Sequence, residues 1–144
     1  MTENTMQMRV KLDEGAKMPT RAHETDAGLD LYSAEEHARV LPNSWRMVDT
    51  GVHVEIPEGY AGLIISKSGM MGMYGITCRG LIDSSYRGSI KAVLFNHSDK
   101  EYYVDKWQKV TQLVIVPYLT PELVLVDELE QTERGEAGFG STGK

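Results

Sequence analysis

Short hydrophobic runs of period two, separated by turn residues about every ten positions, constrain the fold of this chain more than any other feature. Met8/Val10/Leu12, Val52/Val54/Ile56, Ile90/Ala92/Leu94 and Leu123/Leu125 each put apolar side chains on one face of an extended segment and polar ones on the other. Turn signals at Pro42-Asn43, Pro57-Glu58-Gly59, Asn96 to Asp99 and Pro117 to Pro121 divide these runs. The pattern predicts strands over 6–12, 28–33, 36–41, 46–56, 60–66, 75–82, 88–96, 101–105, 109–116 and 122–127. Only Ser68 to Tyr74 suits a short helix, with Ser68 as N-cap. Many short strands with close turns imply an all-β jelly-roll sandwich or barrel and exclude a parallel α/β sheet. A chain of 144 residues suits one such domain, without internal repeats.

The net charge of −6 argues against broad binding to DNA, RNA or anionic membranes. An anionic ligand would need cations gathered locally, or a divalent metal. The lone cysteine, Cys78, rules out an internal disulfide and fits a reducing, cytoplasmic setting. It reads as a small strand residue rather than a nucleophile. The opening MTENTMQMRVKL has neither an apolar signal core nor an Arg-rich presequence, and no run approaches membrane-spanning length. The expectation is a soluble cytoplasmic protein. His23, His37, His53 and His97 lack metal-ligand spacing and read as surface residues.

The end of the chain is chemically distinctive. Arg134 to Lys144 combines four glycines, the hydroxyls of Ser141 and Thr142, the cations Arg134 and Lys144, and the ring of Phe139. Glycines let backbone N–H groups approach phosphate oxygens, the polar side chains can donate, and a ring can lie on a base. Such a tail cannot pack a core, so it stays loose or closes over a ligand. The division expected is a β domain over 1–129 and a mobile arm over 130–144, with the acidic run from Glu122 forming a last strand and hinge. Gly138 to Lys144 imitates the start of a P-loop, but no Ser/Thr and no helix follow, and that reading is rejected.

Three interior segments carry chemistry. Ala27-Gly28-Leu29-Asp30-Leu31 sets a carboxylate on the strand face opposite two leucines, either facing solvent or serving a site. Ser66-Lys67-Ser68-Gly69 offers hydroxyls, an ammonium and free N–H groups at a helix start, suited to an anion and equally to a helix cap. In Gly80-Leu81-Ile82-Asp83-Ser84-Ser85-Tyr86-Arg87-Gly88, Asp83 and Tyr86 are bracketed by glycines and preceded by turn-prone Thr77 to Gly80. That is the composition of a hairpin end carrying a base and a flat ring, and a turn with an incidental aspartate explains it equally well.

Taken together, AGLDL, SKSG, GLIDSSYRG, the Gln-Leu pair beginning at Gln112, and RGEAGFGSTG resemble the five motifs of the homotrimeric dUTP diphosphatases, over residues 27 to 143. The resemblance implies a jelly-roll homotrimer that hydrolyses dUTP to dUMP and pyrophosphate with Mg²⁺, keeping uracil out of DNA and supplying dUMP. It further implies shared active sites, with the first, second and fourth motifs from one subunit, the third from another and the tail from the last. Under it Asp83 is the general base that deprotonates a water for in-line attack on the α-phosphorus. Asp30 helps hold hydrated Mg²⁺, and Lys67, Ser68, Gly69 and Gln112 contact the phosphates. Tyr86 packs beneath the deoxyribose and excludes a 2′-hydroxyl, while a hairpin around Thr77, Gly80 and Leu81 reads uracil through its backbone. From the arm, Phe139 stacks on the base, Arg134, Ser141 and Thr142 hold the β- and γ-phosphates, and Gly140 joins the substrate-binding set.

Five positions in three motifs depart from the family pattern: Lys67 stands for arginine, Trp107-Gln108-Lys109 for Gly-Asp-Arg, and Ala137 for glycine. Lysine gives a point charge where arginine gives a bidentate fork. Two rivals share the fold. A dCTP deaminase needs a catalytic glutamate where this chain has Val93. A non-catalytic trimeric binding or regulatory protein would have no need of Asp30, Asp83, Tyr86 and the FGSTG tail together, although the family also binds regulators.

Overall fold

The computed structural model describes residues 6–143. It contains β1 (Arg9–Leu12), β2 (Gly28–Tyr32), β3 (His37–Val40), β4 (Ser44–Asp49), β5 (Val52–Glu55), β6 (Tyr60–Ile65), α1 (Ser68–Tyr74), β7 (Ile76–Ile82), β8 (Lys91–Asn96), β9 (Tyr102–Asp105) and β10 (Lys109–Pro117). A six-stranded sheet runs β2-β10-β6-β7-β8-β4, flanked by the two-stranded pairs β1-β5 and β3-β9. Every ladder is antiparallel. The large sheet curls because β7 changes partner midway: Ile76 to Cys78 lie opposite β8, and Arg79 to Ile82 opposite β6. The inward faces enclose Leu31, Val40, Val48, Val52, Ile64, Ile76, Ile90, Leu94, Val104 and Leu113. At about 25 cal/mol per Å² of apolar surface removed from water, this core is the main stabilising term.

The period-two reading is visible in β5, where Val52 and Val54 are buried and His53 and Glu55 turn outward. The single strand expected over 46–56 is instead two. The chain breaks at Thr50-Gly51, where Gly51 has φ 64° and a Cβ would lie 2.7 Å from that of Ala16. Thr50 turns its hydroxyl inward to donate to the Ile90 carbonyl at 2.6 Å. The helix occupies the expected residues, but its N-cap is Lys67, which makes no side-chain cap, and Ser68 is its first residue. Gly75, at φ 69°, ends it and donates to the Met71 carbonyl.

No strand forms over 122–127. Leu123 and Leu125 are 91% and 100% exposed, and with no ladder partner the backbone N–H and C=O groups of this segment are left to water. Among the described residues no helix is long and apolar enough to cross a membrane.

Candidate active site

The strand registers bring the first, second and fourth motifs together. Asp30 on β2 lies opposite Gln112 on β10, and Gln112 lies opposite Ile65, the last residue of β6. The chain leaving β6 therefore carries Ser66 and Lys67 onto the same patch. Asp30 is 4% exposed and its carboxylate takes one hydrogen bond from Lys67 Nζ and a second contact at 3.2 Å from Lys109 Nζ. Burial pushes the Asp30 pKa up, but the hydrogen bonds and charges of Lys67 and Lys109 outweigh it and hold the carboxyl below its ordinary value. The Lys109 ammonium is correspondingly raised by its hydrogen bond to Asp30. Asp30 is thus not a solvent-facing residue.

Gln112 donates from Nε2 to the Ser66 carbonyl at 3.1 Å, and its Oε1 lies 2.3 Å from where a Cβ on residue 28 would stand. A side chain at position 28 would displace the end of Gln112 from this place. Beyond the end of β6 the Ser66 hydroxyl takes over the ladder, accepting from Cys78 N–H at 2.8 Å and donating to Cys78 O at 3.0 Å. The Cys78 thiol is buried and its pKa raised by desolvation, which suppresses its nucleophilicity. Ser68 and Gly69 are exposed beside this patch, and nothing lies within 4 Å of a Cβ built on Gly69.

Lys109 is the member of this cluster that sequence reasoning missed. Positions 109 and 112 differ by an odd number, so a regular strand would set them on opposite faces. A register shift between Lys109 and Thr111 on β10 overturns that parity and turns both toward Asp30. Gln108 remains structural, accepting from Asp105 N–H and donating to the Tyr102 hydroxyl. Trp107 holds φ 66° in place of the family glycine and donates from Nε1 to the Gly15 carbonyl at 2.9 Å.

The third motif lies elsewhere on the chain. Asp83 is exposed at the start of a turn closed by Tyr86 N–H on the Asp83 carbonyl at 3.1 Å. Tyr86 donates its hydroxyl to the Ser89 carbonyl at 2.9 Å, and its ring fills the space a Cβ on Gly88 would need, with Oη 2.3 Å from that point. The ring is thereby fixed and remains 41% exposed. Thr77 to Leu81 belong to the strand expected over 75–82, and a turn lies within the 80–88 segment expected to end a hairpin. The strand is β7, and the turn falls at 83–86, after it. Thr77 pairs its hydroxyl with His97 Nε2 at 2.8 Å, and Leu81 is exposed.

No hydrogen bond or ion pair among the described residues joins the Asp83 turn to the Asp30 cluster. The arm touches neither: residues 119–143 are exposed and their hydrogen bonds are internal, such as Arg134 Nε to Ala137 O at 2.9 Å and Ser141 N to Gly138 O at 2.9 Å. Phe139 is fully exposed, Thr142 lies in the terminal turns, and Gly140 has φ 77°. Lys144 lies outside the described residues. Ala137 is not among the residues of positive φ, so its methyl strains nothing in this conformation.

Among the described residues no three His, Cys, Asp or Glu side chains gather as a metal cage. Asp30, ionised and buried, is suited to accept hydrogen bonds from metal-bound water. Both its oxygens already face ammonium groups, which disfavours a direct bond to a metal. That fits a Mg²⁺ ion, which retains several waters and is typically held by one or two carboxylates plus substrate phosphates.

Comparison with known proteins agrees with these motifs. A family model described as dUTPase matches residues 14–143. The deoxyuridine 5'-triphosphate nucleotidohydrolase of Clostridium tetani is 40% identical over 147 residues, covering 100% of both chains. The dUTPase of Staphylococcus bacteriophage 80alpha, solved with dUPNHPP, superposes with a TM-score of 0.90 at 36% identity, covering 97% of this chain and 100% of that one. A mutant dUTPase from phage phi11 of S. aureus, whose structure reveals the coordination of a structural Mg(II) ion, gives a TM-score of 0.80 at 33% identity, covering 88% and 100%.

Proposed function

This chain belongs to the dUTPase family, and from that premise we propose how its residues divide the hydrolysis of dUTP to dUMP and pyrophosphate. The observation that carries the assignment is the convergence of Lys67, Lys109 and Gln112 on the buried Asp30, three family motifs meeting on one patch. Two ammonium groups around one carboxylate leave a net positive site, which supports a reading in which Lys67, Ser68, Gly69 and Gln112 take phosphate oxygens. Asp83 is the general base. Its carboxylate accepts a proton from water as that water's oxygen bonds to the α-phosphorus, the bond to the bridging oxygen breaks, and pyrophosphate departs. A positioned base contributes on the order of 10²–10⁴-fold, and charge neutralisation around the phosphates must supply more.

Mg²⁺, when bound with the triphosphate, would neutralise its oxygens, with Asp30 holding the hydrated ion through water. In this reading Tyr86, whose ring is fixed against Gly88, packs beneath the deoxyribose and excludes a 2′-hydroxyl. Uracil recognition falls to β7 around Thr77, Gly80 and Leu81. Because 79–82 pair only with β6, the other edge of that stretch keeps unpaired backbone N–H and C=O groups.

Homotrimeric assembly with shared sites is part of the same reading. What supports it is the separation of the Asp83 turn, the Asp30 cluster and the arm within one chain, together with exposed Leu119, Leu123, Leu125 and Leu129. Residues 1–129 then form the β domain and 130–144 the arm, whose Arg134, Phe139, Gly140, Ser141 and Thr142 close over the nucleotide. A cytoplasmic location belongs to the same reading, and the nucleotide substrate and the single free Cys78 are consistent with it.

The test is pyrophosphate release from dUTP, dTTP, dCTP and UTP, with and without chelator, for the wild type and Asp83→Asn. The expected result is turnover of dUTP alone, dependent on Mg²⁺ and lost in the variant. Ammonia release from dCTP would favour a deaminase, and inactivity toward all four a binding protein.

A further inference from the structure

His53, a residue its own sequence context left unremarkable, lies between two elements and faces two acceptors. Val52 and Val54 are buried, so the intervening ring projects from the outer face of β5, where Lys11 of β1 is its register partner. Its Nδ1 is 2.7 Å from the Arg87 carbonyl oxygen, and its Nε2 is 2.9 Å from Asp13 Oδ1. A carbonyl and a carboxylate oxygen can only accept, so both ring nitrogens must donate, and only the imidazolium carries two N–H groups. Arg87 adjoins Tyr86 in the turn that begins at Asp83. The exit of that loop is fastened separately, by Ile90 N–H on the Val52 carbonyl at 2.8 Å.

We propose that protonated His53 is a positioning residue for the dUTPase reaction: it clamps the Arg87 carbonyl to Asp13 and so holds the Asp83–Gly88 loop in its working geometry. This rests on the reading of Asp83 and Tyr86 given above. When the ring loses a proton, the Asp13 charge keeps the remaining one on Nε2. A lone pair on Nδ1 then faces the Arg87 oxygen, and the loop is repelled where it was held.

The surrounding charges agree with a protonated ring. The Arg87 carbonyl and then Asp13 raise the His53 pKa above its ordinary value, against burial and Lys11. The other charged groups lining this face are Arg9, Glu55 and Arg87. The Arg87 guanidinium is turned away, donating to Ser84 O at 2.6 Å and Tyr86 O at 3.2 Å. Since the folded pKa is raised, the clamp is complete below about pH 6.5 and is lost as pH rises through the folded value. It therefore produces an alkaline limb in kcat, opposite in sign to the acid limb of a carboxylate base.

The experiment couples a direct titration to kinetics on the full chain. The His53 ring resonance, identified by its loss in His53→Gln, is titrated by NMR in the wild type and in Asp13→Asn. In parallel, kcat and KM for dUTP are followed against pH in all three proteins. The expected midpoint lies above 6.5 in the wild type and moves down in Asp13→Asn, and the alkaline limb of kcat moves with it. His53→Gln loses that limb and turns over about tenfold more slowly at pH 6.5, with KM changing much less. A midpoint at or below 6.5, or a kcat limb that Asp13→Asn leaves in place, overturns the proposal. Asp13→Asn keeps the imidazole, so the test stands even if His53→Gln fails to fold. An absence of dUTP turnover in the wild type at every pH would refute the functional reading instead, while the ring titration would still decide whether the clamp exists.

Discussion

Replacing Asp30 by asparagine removes a buried charge while nearly preserving shape, and the structure sets the size of the effect. The carboxylate side chain is 6% exposed, whereas Lys67 and Lys109 are 27% and 46% exposed. Breaking a buried ion pair ordinarily costs about 3–5 kcal/mol, because the surviving charge is stranded. Here the survivors are two lysines that can swing toward water, so most of that penalty is relieved. What remains is the loss of two charge-assisted hydrogen bonds, partly replaced by an amide oxygen that can still accept, for a net of about 2 kcal/mol.

The pH dependence supplies a second check on Asp30→Asn. The folded-state pKa of Asp30 is depressed, so its stabilisation is present above the unfolded value near 3.9 and is lost as pH falls through the folded value. Urea unfolding of both proteins at one matched concentration, from pH 7 down to pH 3, should show a gap at neutral pH that narrows in acid. A neutral-pH difference below about 0.5 kcal/mol would place Asp30→Asn within the range of ordinary surface changes and refute the buried-cluster argument. A gap that persists undiminished into acid would refute its electrostatic cause.

Truncation after Gln131 removes residues with no contact to the β domain, so it should leave the oligomer intact by sedimentation while lowering dUTP turnover by roughly 10²-fold or more. A truncated enzyme as fast as full length would remove the arm from the mechanism. Gly88→Ala puts a methyl 2.3 Å from Tyr86 Oη and 2.5 Å from Cζ, so the ring must leave its place. The ratio of kcat/KM for dUTP over UTP should fall, and an unaltered ratio would dissociate Tyr86 from sugar selection. Trp107→Gly relieves a left-handed backbone worth about 1–2 kcal/mol but gives up the indole bond to Gly15 and the Lys106 contact over the ring. These terms nearly cancel, so chemical denaturation should show a change within about 1 kcal/mol, and a loss above about 3 would mean that the indole has a larger packing role.

Most of the sheet was legible because period-two burial is a local property: β5 and β8 bury the residues their sequence alternation selects. Breaks and contacts that depend on distant residues were not. The division of β4 from β5 falls at Gly51, whose positive φ and close approach to Ala16 the alternation pattern does not mark. Asp30 alternates with leucines and so reads as outward, which is correct for the strand. Its burial comes from Lys67 and Lys109, which lie 37 and 79 positions along the chain. Lys109 was hidden by a bulge that reverses strand parity, and His53 by the absence of any spacing rule for a ring whose partners are Asp13 and a backbone carbonyl.

The segment 122–127 reverses this relation between pattern and contact. Its Leu123/Leu125 alternation is as regular as that of β5, yet no partner among the described residues takes it up, and both leucines stand in solvent. At about 25 cal/mol per Å², two leucines, with Leu119 and Leu129 beside them, represent several kcal/mol left ungained in a single chain. The Asp83 turn, the Asp30 cluster and the arm are likewise each well formed and mutually separate. Both facts have one economical cause if further copies of the chain supply the missing partners. Covering the apolar segment would then drive assembly, and assembly would bring together the three parts of the site. Mutating Leu123 and Leu125 together to serine tests that linkage. Trimer mass by sedimentation and dUTP turnover should fall in parallel as protein is diluted, and full activity from a monomeric variant would break the argument.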